Sequence, residues 1–153
     1  MRHILLILVT MGLFSACGTK KELVRTGAFY DIAPRFVRTE GSKDYFLVYG
    51  KGINEQACLG NASVYLLKTL IYQGSREGTN IAPLLNEPKS IATVKAQEQT
   101  VINGLLLRTG LLESGGSPTN RIRQSTDKDA LYNMSFEIGV NRNLLATEIA
   151  RFK

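Results

Sequence analysis

The chain has 153 residues, 44% of them hydrophobic, with 19 basic and 13 acidic side chains and one histidine. That length suits one domain, and a formal charge of +6 bears on solubility and non-specific association, not on fold. The one histidine is His3; its loss with an N-terminal leader excludes Ser-His-Asp and Cys-His catalysis, histidine metal sites and histidine pH sensing.

Arg2 precedes an apolar run from Ile4 to Phe14, and Ser15, Ala16, Cys17 and Gly18 follow. The run is shorter than the roughly 20 residues of a spanning helix and fits the apolar region of a secretory signal, about 7–15 residues. Phe14-Ser15-Ala16-Cys17 resembles the lipobox of bacterial lipoproteins, with Phe14 where Leu is commoner. The resemblance implies cleavage between Ala16 and Cys17 and a diacylglyceryl group on the Cys17 sulfur. Two or more acyl chains anchor stably where one binds reversibly, at about 0.8 kcal/mol per buried CH₂. An ordinary cleaved signal and an uncleaved anchor are the alternatives. By similarity to lipoprotein sorting, Gly18 in place of Asp favours the outer membrane, and Lys20 and Lys21 in place of acids favour its periplasmic face.

Removing residues 1–16 leaves 137 of the 153 residues, with Cys58 the other cysteine, so no internal disulfide is expected. Nucleic acid is not an expected partner in the envelope. The basic balance suits anionic lipid or cell-wall polymer, or marks no partner at all. No cofactor or metal is expected.

Residues 17–42 read as a lipidated tether, with basic residues among small ones and Pro34 breaking regular structure; a short strand around Ala28–Ile32 is the alternative. Tyr45-Phe46-Leu47-Val48-Tyr49, bounded by Gly50 and Gly52, predicts a buried strand. Asn54 is placed to cap a helix running to about Gln73, in which Cys58, Ala62, Leu66 and Leu70 recur every four residues. Small residues in its first half allow close approach to a sheet, and Gly74 is placed to end it. Residues 78–88 are a connection whose Leu84 and Leu85 pack on the domain. From Lys89 to about Ser114 the pattern is helical, with Gly104 and Gly110 as breaks, so two short helices are as consistent as one. Residues 114–130 read as a flexible loop. Tyr132, Met134, Phe136, Ile138 and Val140 alternate with polar or small residues, the mark of a half-buried strand. Asn141 caps a closing helix over residues 142–152.

The expected fold is a small two-layer α+β sandwich after an N-terminal signal helix. Residues 43–153 form the domain, with helices packed on a short, mostly antiparallel sheet. Two strands make a poor sheet alone, so others are expected from 26–40, 81–86 or 119–124.

Gly50-Lys51-Gly52 stands where a dinucleotide loop would, but Glu55 occupies the third glycine position and would oppose a pyrophosphate. A tight strand-to-helix turn is the plainer reading. Cys58 falls on the apolar face and reads as a core thiol. Asp127 with Asp129, or Glu137 with Glu148, are candidate acid–base pairs that no spacing singles out. Asn61-Ala62-Ser63 and Asn133-Met134-Ser135 match the glycan-acceptor pattern by chance. Arg121, Arg123 and Lys128 form a local cationic cluster that reads first as a solvated loop, and otherwise as a candidate loop for anionic lipid or glycan.

Phe46 to Gly52, the small-residue helix, Tyr72-Gln73-Gly74, Pro83-Leu84-Leu85 and Val140 to Leu145 together resemble small envelope lipoproteins of Bacteroidota-type bacteria, over roughly residues 43–153. The resemblance implies no catalytic residue. The expected role is a non-enzymatic binding or assembly subunit, lipid-anchored at Cys17. The alternatives are a small carboxylate-dependent cell-wall or glycan hydrolase, and a surface-exposed adhesin or uptake accessory.

Overall fold

The computed structural model describes residues 32–75, 80–125 and 130–152. Four helices pack on an antiparallel five-stranded sheet, an α+β domain as the residue pattern predicts. The signal segment, Ala16, Cys17, Asp127, Lys128 and Asp129 lie outside the described residues.

Strand β1 (Arg35–Glu40) and β2 (Lys43–Gly52) form a hairpin closed by Gly41 and Ser42. Gly41 takes φ +59°, a conformation glycine reaches without strain. β1 lies within 26–40, one of the stretches expected to add a strand, and overlaps the end of the stretch read as a tether, whose residues 17–31 lie outside the described ones. Pro34 is buried, and its carbonyl accepts a hydrogen bond from Ser75 Oγ at 3.0 Å. Pro34 thus sits just before the strand, where a missing N–H disrupts no ladder.

Helix α1 (Glu55–Tyr72) begins as its sequence predicts: Asn54 accepts a hydrogen bond from the Ala57 amide at 2.8 Å. Beyond it, Gly74 adopts φ +72°, and the amides of Leu84 and Leu85 bond the Leu70 and Ile71 carbonyls. The returning chain so satisfies helix-end acceptors that would otherwise be orphaned. Helices α2 (Pro88–Ala96) and α3 (Glu98–Leu106) are separate, meeting at Gln97. Pro88 opens α2, where no amide is needed.

Strand β3 (Leu112–Ser114) and β4 (Asn120–Ser125) lie end to end along one edge of β5 (Ala130–Val140), pairing with its last and first residues respectively. β4 bears out the expectation of a further strand from 119–124 and corrects that of a flexible loop across 114–130. β2 occupies the other edge of β5, in register from Asp44↔Val140 to Gly52↔Tyr132. Helix α4 (Arg142–Ala150) is capped by Asn141, which accepts from the Leu144 amide at 3.1 Å.

The core lies between α1 and the sheet face carrying Phe46, Val48, Met134, Phe136 and Ile138, all buried with Leu66, Leu67, Leu70 and Ile71. Each such side chain contributes about 1.5–3 kcal/mol on leaving water.

Candidate functional site

A cleft forms where β2 leaves β1 behind. β1 pairs with β2 only as far as Leu47, and α1 crosses the strand beyond that point. A cleft of about 570 Å³ opens there, lined by Tyr49, Ile53, Ala57, Asn61, Tyr65 and Leu131. Lys51 also borders it, and its carbonyl accepts from the Asn61 carboxamide at 2.6 Å. Ile53 at the rim is 64% exposed, high for an isoleucine.

Gly50 and Gly52 set the geometry of this corner. A Cβ at Gly50 would fall 1.9 Å from the Cys58 carbonyl oxygen, and one at Gly52 would fall 2.6 Å from the Ala57 Cβ. Neither has positive φ. Both are strand residues whose missing side chains let α1 lie against β2. This corrects the turn reading of Gly50-Lys51-Gly52. A dinucleotide site is also removed, because the strand is paired antiparallel, whereas that fingerprint belongs to a parallel βαβ unit. Asn61 is engaged at the cleft and Asn133 is only 4% exposed, so neither acceptor pattern offers a free amide.

Arg121 and Arg123 both lie exposed on β4, two residues apart and therefore on one face. The Arg121 guanidinium stands 4.7 Å from the Tyr132 ring centroid, a cation–π contact. Arg123 is opposite Tyr132 in the strand register. The two cations thus sit on a paired strand, across β5 from the cleft. Cys58 is fully buried, its Sγ 3.3 Å from the Tyr132 carbonyl. Burial pushes its thiol up and outweighs the opposing field of Arg121.

Glu137 and Glu148 do not form a pair. Glu137 bonds Arg38 from the outer sheet face, whereas Glu148 on α4 is held by Arg108 at 3.0 Å and Arg151 at 2.8 Å. Arg38 also stacks 4.2 Å from the Tyr45 ring. Between α1 and α3, Lys68 bonds Glu98 and holds its carboxyl below the usual range. Beside them the buried Tyr72 hydroxyl lacks a well-formed hydrogen bond; burial first, and Glu98 second, push it up to about 12. Among the described residues no group of three His, Cys, Asp or Glu side chains could hold a metal, and no helix is long and apolar enough to cross a membrane.

No protein-family model, curated protein or solved structure matches this chain.

Proposed function

We propose that this chain is a lipid-anchored envelope lipoprotein, held through Cys17 on the periplasmic face of the outer membrane, that acts as a non-enzymatic binding or assembly subunit. The cleft between β2 and α1 is its binding place. One observation carries this reading: the cleft joins the aromatic and aliphatic surface of Tyr49, Tyr65, Ile53 and Leu131 to a few polar groups, Asn61 and Lys51, the make-up of a binding pocket. Its volume falls within the about 300–1,000 Å³ of ligand sites. The lipobox-like Phe14-Ser15-Ala16-Cys17 supports the anchoring.

The test is a photo-crosslinking residue at position 53, in cells fed labelled palmitate. The expected result is a palmitate-labelled chain, a Cys17→Ala variant that is unlabelled and leaves the membrane fraction, and an envelope adduct from position 53. The control is the same probe at Thr93, exposed on α2. No label on the parent chain refutes the anchor. Equal adducts from both positions, or none from position 53, refute the cleft.

A further inference from the structure

The sheet ends in β1, whose sole partner among the described strands is β2. Such an edge presents backbone donors and acceptors to any extended segment that fits. Five of the six residues of β1 are exposed, Phe36 being the exception; Val37 is 42% exposed. The Arg35 side chain makes no hydrogen bond or ion pair among the described residues. Glu40, at the other end, keeps a 66% exposed side chain, with Arg38 3.4 Å away.

The strand is charged in a self-complementary way. Read Arg-Phe-Val-Arg-Thr-Glu against itself in antiparallel sense, and Arg35 of each copy falls opposite Glu40 of the other. Residues five apart on a regular strand point to opposite faces. Here the register shifts between Phe36 and Arg38, and that bulge changes the count. Arg35 lies opposite Leu47 and Glu40 opposite Lys43, and Leu47 and Lys43 share one face of β2. Arg35 and Glu40 therefore also share a face. Phe36 and Thr39, opposite Phe46 and Asp44, share the other. The shift that sets Arg35 against Arg38 opposes like charges, and a register centred on Thr39 engages only half of each strand.

We propose that the outer edge of β1 pairs antiparallel with the same edge of a second copy, with Arg35 opposite Glu40 at both ends. The contact is isologous, so one two-fold axis closes it and no open chain of copies follows. A six-residue strand is about 20 Å long, and pairing along it buries less than the about 1,200–2,000 Å² of stable interfaces. The association is weak and reversible, and a covalent trap is the suitable readout.

The experiment uses the full chain with Val37→Cys, treated in cells with a short bis-maleimide. Val37 sits beside the two-fold axis of the proposed pairing. The expected result is a covalent dimer that the parent, which carries Cys17 and the buried Cys58, does not give. In the same background, Arg35→Glu or Glu40→Arg alone lowers the dimer yield at least about fivefold, through like-charge pairs directly opposite across the strands. The double reversal Arg35→Glu/Glu40→Arg restores it. Recovery in the double variant excludes misfolding as the cause of the loss. A yield no higher than the parent's, single reversals without effect, or a double reversal as poor as the singles each overturn the pairing.

Discussion

Gly50 and Gly60 show how one residue type takes opposite roles within a single strand–helix unit. At Gly50 a methyl group would meet the Cys58 carbonyl oxygen at 1.9 Å and the Ala62 Cβ at 2.9 Å. Neither neighbour is the end of a flexible side chain, so α1 must move off β2. Gly60 points to solvent from the same helix, with nothing within 4 Å of its Cβ position. We expect Gly50→Ala to destabilise by about 3 kcal/mol or more, the upper range for overpacking. Gly60→Ala should stabilise by about 0.5–1 kcal/mol, the penalty of glycine within a helix. Denaturant unfolding measures both. Equal effects of the two substitutions would mean that α1 does not lie on the strand as described.

The elements that were legible in the sequence are those whose burial is written in their side chains. β5 alternates because one face is covered by α1, and α1 repeats small and aliphatic residues because it crosses two glycines. Asn54 and Asn141 cap their helices through the bonds their positions predict. Of the further strands expected from 26–40, 81–86 or 119–124, the first and last form as β1 and β4, but their bounds were not legible, for a shared reason. As single-sided neighbours of β2 and β5, they are held largely by backbone pairing and carry little apolar pattern. A signal for β1 was present: Gly41-Ser42 between two runs is a two-residue hairpin turn. Asn120 to Ser125 offers only Ile122 as an apolar residue, and the Arg121–Tyr132 stacking cannot be read without the register. The cleft was hidden more deeply, because Tyr49, Tyr65 and Leu131 meet only in three dimensions. Amide hydrogen exchange tests β4 directly. Its amides bonded to β5 should be protected, alternating along residues 120–125 with faster-exchanging neighbours. Unprotected exchange throughout 120–125 would return this segment to the loop it resembles.

Charge pairs stitch the domain together at its periphery. Arg38–Glu137 joins β1 to β5, Lys43–Glu113 joins β2 to β3, Arg142–Asp44 joins α4 to β2, and Lys68–Glu98 joins α1 to α3. Each connects elements distant along the chain, and each is partly solvated, so water screens it and each alone adds little to stability. Their common effect is a dependence on pH. Hydrogen bonds from Lys68 and Lys43 hold the Glu98 and Glu113 carboxyls below their ordinary 4.5. A carboxyl depressed in the folded state stabilises above its unfolded value, and that contribution is lost as pH falls through the folded one. Protonation of the 13 acidic side chains also leaves 19 lysines and arginines unopposed. The melting temperature should therefore hold from neutral pH to about 4.5 and decline below it. In the Glu98→Gln/Glu113→Gln double variant the neutral-pH melting temperature should be lower and the acid decline shallower, because two of the groups that gain protons on unfolding are gone. Thermal unfolding followed by circular dichroism across this range decides the matter: a double variant whose acid decline is as steep as the parent's removes these two pairs from the account of acid stability.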